Sequence, residues 1–506
     1  MQRIADCFSR WVALTPDRLA ISDDRYQWSY ADLETHVGQA AEYLASVGVR
    51  RGDRVAFIGE NSATLAALIL AAGRLDAWAV LENARRAPME IDGVCLHAHP
   101  RTIVHVVGNS EAAREHARRH QAATIETPFG SVAASPTDST SEPEPIWPEA
   151  KDQVAVLIYT TGTTGTPKGV MITHANLLHI GEQMRRERRL TSDDRVYGIL
   201  PITHVMGLAS GLLGTLSSGA HIHLVPRFDV AHCRHALRTD GITILQGAPA
   251  MFARLAESCE PGARPSPSLR LIAAGGAPLD AGIKEKVEAV FGLTLHNGYG
   301  LTEGSGVCWT RLDDVNDDCS VGPPNVGVEV RICDKDGNEL PQGQVGELWM
   351  RGPSIMKGYY KMPDRTAEVL RPDGWLNSQD LASQGPDGRI HIHGRSKELI
   401  IRSGFNVSPL EVETALNSHP LVRYSAVLGH HNAGNEDIVA VIELKSEAQL
   451  NETDLQAFLK ERLSPYKRPN RFIYMENLPV APNGKVLKQE LKLKLGDTLG
   501  AAQCPT

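Results

Sequence analysis

The feature that most constrains this chain is a repeated strand–helix rhythm. "DRVAFIG" is an apolar run of buried-strand length, and "ATLAALILAAG" (Ala63 to Gly73) follows it as a helix apolar on all sides. "ITILQGAPAMFARLAES" and "SLRLIAAGGAPLDAGIKEKVEAVFG" repeat the pattern. Short strands that alternate with helical spacing predict an α/β sheet with helices on its faces. "YADLETHVGQAAEYLASVGV" adds another helix, ended by Gly48. The segment Thr127 to Ala150 is rich in Pro, Ser, Thr and acid, and reads as an exposed, mobile connection.

The texture changes twice more. From about Val321, "GVEVRICDKDGNELPQGQVGELWMRG" alternates in period two around Asp-Gly and Gly turns, which predicts antiparallel strands in a small β-barrel-like part over about 321–393. From "HGRSKELI" onward the residues suit a compact α+β unit. The expected organisation is a large N-terminal domain over 1–393 and a small mobile C-terminal domain over 394–506, with a hinge at 395–397. A length of 506 residues with 42% hydrophobic content accommodates such a division.

Composition narrows the partners. A net charge of −8 provides no global basic field for nucleic acid, so any anionic ligand must be held by a local device. The longest greasy stretch, Ala63 to Gly73, is too short to span a bilayer. The start carries no uninterrupted apolar core behind a basic end, and the eight cysteines include no C-x-x-C pair. A cytoplasmic protein without stable membrane insertion is the expectation. The pairs His221/His223 and His391/His393 each fall on one face of a strand, but the sequence indicates no third ligand to make a metal site.

The local device is "LIYTTGTTGTPKGV". Eight of the nine residues from Thr160 to Lys168 are Thr, Gly or Lys, and they follow a strand directly. Glycines let the backbone approach a ligand with N–H groups inward, threonines add neutral donors, and a lysine adds positive charge. That set suits a polyphosphate. It is not a Walker loop, because Thr166 and Pro167 separate Gly165 from Lys168, and Gly169 follows the lysine.

This loop resembles the signature of the adenylate-forming enzymes, which include acyl- and aryl-CoA ligases, amino-acid adenylation domains and beetle luciferases. "LPITHVMGL", "GGAPL", "NGYGLTE", "GWLNSQDLA", "HGRSKELIIRSGFNVSPLEVE" and "PNGKVLKQEL" follow in the family's order, so the resemblance covers nearly the whole chain. It implies that Thr160, Thr161, Gly162, Thr163, Thr164, Gly165 and Lys168 embrace the phosphates of ATP. Tyr299 would stack on adenine between Gly298 and Gly300, with Asn297 on the ring edge. Thr302 would contact a phosphate and Glu303 would hold Mg²⁺. Gly275, Gly276, Ala277 and Pro278 would wall the adenine and acyl sites, and His204 would lie beside the carboxylate pocket. Asp380 and Arg395 would bind the ribose, although Ser378 and Gln379 replace the family's Thr-Gly before that aspartate.

The resemblance also implies a reaction in two steps. A carboxylate attacks the α-phosphate of ATP to give an acyl-adenylate and pyrophosphate, and a thiol then displaces AMP. Lys485 would serve the first step. Ser403, Gly404 and Phe405 would admit the pantetheine arm of CoA in the second, after the small domain turns about Lys397. An amino acid is disfavoured as substrate, because Thr203 and His204 occupy the place where adenylation domains carry an aspartate for the ammonium. Small and apolar residues such as Val205, Met206 and Gly207 suit an uncharged fatty or aryl tail. A ligase that loads a phosphopantetheine carrier protein, and an adenylate-binding protein without turnover, are the alternatives.

Overall fold

The computed structural model describes residues 2–500 except 162–166, 261, 263, 264, 314–317, 403, 404, 433, 434, 446, 447, 482 and 483. Two eight-stranded sheets form the large part of the molecule. In one, the strands Leu271–Ala274, Ile244–Gly247, Arg195–Gly198 and His221–Leu224 lie in parallel register, with Leu295–Tyr299 beside the first of them. The other is centred on Arg54–Gly59, Trp78–Asn83 and Val154–Thr161, also parallel. A single core joins residues of both sheets through the helices Tyr30–Ser46, Ala63–Arg74 and His174–Glu187. The helix that reads as apolar on all sides is buried from Ala63 to Gly73. No helix among the described residues is long and apolar enough to cross a membrane.

Two expectations are corrected. The strands Glu329–Cys333, Gly346–Arg351, Leu376–Gln384 and Ile390–Arg395 form an open antiparallel sheet, not a barrel. Its first and last strands each pair on one side only, so the ladder never closes. The segment Thr127 to Ala150 is not a free connection either. Gly130–Ala134 is a strand of the second large sheet. Beyond it the buried Arg54 guanidinium donates to Ser141 Oγ (3.1 Å), the Glu142 carbonyl (2.8 Å) and Glu144 Oε1 (2.6 Å). A buried charge needs such partners, and their supply pins the polar chain.

The C-terminal residues build an α+β unit. Val422–Asn432, Asn435–Leu444 and Arg471–Met475 form a three-stranded sheet, flanked by the helices Pro409–Asn417, Glu452–Lys460 and Lys488–Gly500. Two small cores formed by residues between Ile400 and Leu495 fill its two faces.

Candidate active site

The parallel strands Leu271–Ala274 and Leu295–Tyr299 deliver their following residues to one place. Gly275 is buried there, while Gly276 and Pro278 are exposed and Ala277 is half-buried. A β-carbon on Gly275 would lie 2.8 Å from Met206 Cε, and one on Gly298 would lie 2.5 Å from Trp309 Cδ1. Met206 and Trp309 therefore close against these two glycines. Gly300 is equally confined, with a hypothetical β-carbon 3.1 Å from Gly306 Cα.

The Tyr299 hydroxyl donates to Asp380 Oδ2 at 2.5 Å, and Arg395 Nε lies 3.1 Å from Asp380 Oδ1. Asp380 and Arg395 are directly opposed in their antiparallel ladder, which explains why residues fifteen apart in sequence meet. Burial raises the Asp380 carboxyl above its usual range against the pull of Arg395. Burial also opposes the charge on Arg395, but Asp380 and Glu398 outweigh it and hold the guanidinium above its ordinary value. Tyr299 is pushed well up by burial and then by the Asp380 charge, so its proton stays on the oxygen and fixes the ring by its tip.

The residues that replace Thr-Gly keep the aspartate in position. Gln379 takes φ = +60°, the left-handed conformation that glycine adopts without strain. Its N–H donates to Asn377 Oδ1 (2.8 Å), and the Asp380 N–H donates to Ser378 Oγ (3.1 Å). Asn297 is anchored within the protein. Its amide nitrogen donates to the carbonyls of Cys319 (3.1 Å) and Ser320 (3.3 Å), and its oxygen accepts from the Gly298 N–H. The side chain clasps a neighbouring loop, because a buried carboxamide needs hydrogen-bond partners.

Thr160 pairs with Lys168 across the two strands that flank the signature loop. Thr160 Oγ1 is buried with no hydrogen-bond partner among the described residues. Lys168 Nζ lies 4.6 Å from the centre of the Tyr359 ring and 3.5 Å from its hydroxyl. That hydroxyl donates to Glu303 Oε1 at 2.8 Å, and the Glu303 carbonyl accepts from the Met356 N–H. Thr302 is buried beside them. Gly162, Thr163, Thr164 and Gly165, and the side chain of Thr161, lie outside the described residues.

Lys485 comes to the same place from the far end of the chain. Burial, then Arg395, lowers its amine from the usual lysine value, whereas Glu398 and Asp380 act the other way. His204 stays neutral near pH 7, its pKa lowered to about 4 by burial and then by Lys485. The preceding Gly484 abuts Ala248, where a strand turns into the helix Pro249–Glu257. Lys397 is exposed in the short turn Ser396–Glu398, just past the strand that holds Arg395. Phe405 is held within the C-terminal unit, exposed and stacked on Tyr466 with ring centres 4.5 Å apart. Ser403 and Gly404 lie outside the described residues.

Sequence reading missed Tyr359, which joins Lys168 to Glu303, and Glu398, which faces Lys485 and bonds Lys488. Neither carries a composition signal. Tyr359 arrives on the two-residue strand Gly358–Tyr359, which pairs with the strand that follows the signature loop.

The family model for AMP-binding enzymes matches residues 8–360, and that for the AMP-binding enzyme C-terminal domain matches 411–485. A feruloyl-CoA synthase from an Amycolatopsis species is 32% identical over 490 residues, covering 96% of this chain and 98% of the relative. ATP-bound MatB from Rhodopseudomonas palustris superposes with a TM-score of 0.86 at 31% identity, over 98% of this chain and 99% of that one. Its apo form gives 0.75 over the same shares. A benzoate CoA ligase from Burkholderia xenovorans LB400 gives 0.85 at 25% identity, over 97% and 100%. The chain belongs to the adenylate-forming enzymes, in the acyl- and aryl-CoA ligase family, whose members use ATP to join a carboxylic acid to CoA through an acyl-adenylate.

Proposed function

We propose that this chain activates an uncharged aryl or fatty carboxylic acid with ATP and Mg²⁺, and transfers the acyl group to CoA. The observation that carries the reading is the convergence of Lys485 with Asp380, Arg395 and His204, beside the Tyr299 ring that Asp380 anchors by its hydroxyl. In this reading Asp380 and Arg395 hold the ribose hydroxyls, and Tyr299 stacks on the adenine with its tip anchored. The hydroxyl of Thr160 and the charge of Lys168 face the phosphates. Glu303 suits Mg²⁺, a hard cation that takes one carboxylate together with phosphate oxygens and water. The ion supplies neutralisation of the polyphosphate when bound.

Lys485 adds a cation where the acid's carboxylate approaches the α-phosphate. Two anions must meet there, and a positioned positive charge acts most strongly as negative charge gathers on the phosphoryl oxygens. His204, neutral at working pH, offers a hydrogen-bonding wall beside the incoming carboxylate without a permanent charge of its own. The tail meets Met206, Gly275, Gly298 and Trp309. Relatives that bear the names feruloyl-CoA synthase and benzoate CoA ligase favour the aryl branch.

The division into 1–393 and 394–506 is part of the same proposal. The C-terminal unit turns about 395–397, with Lys397 at the pivot, to exchange Lys485 for the face around Ser403, Gly404 and Phe405. The better match to ATP-bound than to apo MatB supports an adenylating pose for the present arrangement. The test is a panel of aryl and fatty acids with ATP, Mg²⁺ and CoA, read as AMP and acyl-CoA. Acid-dependent AMP with matching thioester supports the proposal. Thioester only on a phosphopantetheinylated carrier protein would replace CoA as acceptor, and failure of every acid in the panel to elicit AMP would refute the aryl or fatty substrate class.

A further inference from the structure

The histidines of the strand His221–Leu224 acquire a partner that sequence spacing could not reveal. Asp24, His223 and His232 each bring one ligand atom to within 4.8 Å of the others. They come from three elements: the turn after Leu19–Ser22, the neighbouring parallel strand, and the helix Val230–Thr239. None of them belongs to the group around Asp380 and Lys485.

The surroundings are those of oriented ligands. His223 Nδ1 is 2.9 Å from Ser22 Oγ, and His232 Nδ1 is 2.8 Å from the Tyr197 hydroxyl. Both Nδ1 atoms are thereby engaged, and among the described residues Nε2 on each ring has no hydrogen-bond partner, which makes it the open nitrogen. Ser22 Oγ also reaches His221 Nε2 at 2.7 Å, so it can give its proton to His221 while it accepts one from His223. That arrangement leaves a lone pair on His223 Nε2, the state a metal ion requires. The Tyr197 oxygen can accept from His232 Nδ1 in the same way. The rings of His223 and His232 lie 6.3 Å apart, centre to centre, and each is about 6 Å from buried Tyr197, which holds both in place. The Asp24 carboxylate is exposed and makes no hydrogen bond among the described residues. Asp23 and Asp240 add negative charge around His223.

We propose that Asp24, His223 and His232 bind a divalent transition-metal ion of the Zn²⁺ type. Two imidazoles and a carboxylate suit zinc, with water as the fourth ligand. The ion ties the turn, the strand and the helix together, so it stabilises the sheet that also carries Tyr299. The neighbouring Cys233 is fully buried in the apolar core that also holds Tyr197, and it is not among the three residues whose ligand atoms converge.

The test uses the full-length protein without nucleotide or Mg²⁺. Calorimetric titration with ZnCl₂ should give one site per chain, and Co²⁺ substitution should give d–d bands without thiolate charge transfer. Asp24→Asn, at an exposed position that keeps the fold, and His232→Ala should each weaken Zn²⁺ binding by more than about 10-fold, and Tyr197→Phe should weaken it by roughly 10- to 100-fold. Thermal unfolding of each variant without metal confirms that it folds. The proposal is overturned if the wild-type protein takes up no Zn²⁺, if binding is unchanged in Asp24→Asn or in His232→Ala, or if the cobalt spectrum shows thiolate ligation.

Discussion

Gly484 offers a way to block the docking of Lys485 without touching the lysine. It has φ = +84°, and a β-carbon there would lie 2.6 Å from the Ala248 β-carbon. Carbon atoms pack at about 3.5–4.0 Å, so Gly484→Ala forces the loop back by roughly 1 Å. Ala248 is fully buried and cannot yield. Overpacking of this size costs about 1–3 kcal/mol, which corresponds to a loss of roughly 5- to 150-fold in the step that needs the docked loop. That step is adenylation, measured as acid-dependent exchange of pyrophosphate into ATP. Under the proposed rotation, thioester formation from a synthetic acyl-adenylate takes place in the other pose and should change little. Ala248→Gly removes the obstructing carbon, so the double variant should recover most of the exchange rate. The left-handed strain at residue 484 remains in both variants and does not contribute to the difference. Equal slowing of both half-reactions by Gly484→Ala, or no recovery with Ala248→Gly, would refute the docking argument.

Three further outcomes can be measured. Lys485→Ala should lower pyrophosphate exchange by about 10²- to 10³-fold, the scale of one lost electrostatic contact to a reacting oxyanion, while synthetic acyl-adenylate is still converted. Gln379→Gly should raise stability in urea unfolding by about 0.5–1 kcal/mol, since relief of left-handed strain exceeds the entropy that glycine adds to the unfolded chain; a loss of stability would show that the Gln379 side chain contributes more than its backbone costs. His174 is fully buried, its Nδ1 accepts the Ile4 N–H, and its pKa falls from 6.5 to about 3 through burial and then Arg3. The unfolded state therefore takes up the proton first. The His174 contribution is complete above about pH 6.5 and falls by about 1.4 kcal/mol per pH unit below it, down to the folded value. Unfolding free energies at a series of pH values should show a shallower acid slope in His174→Asn, and an unchanged slope would remove His174 from the account.

The strand–helix rhythm was legible because burial on both faces of a sheet demands apolar runs that no loop tolerates. The ordered motifs placed Tyr299, Asp380, Arg395 and Lys485 in one site, since each couples a residue type to a fixed chemical task. The sequence could not reveal that Tyr359 bridges Lys168 and Glu303, that Asn297 turns to the 319–320 carbonyls, or that Arg54 pins the polar segment after Ala134. Each depends on which distant backbone passes nearby, and that is decided by the packing of whole elements. The open edge of the four-stranded sheet has the same origin: alternation specifies a strand's two faces, but closure depends on how its outer strands are aimed. The histidines illustrate the division most plainly. Period two placed His221 and His223 on one face of a strand, and only the tertiary fold brought Asp24 and His232 to meet His223.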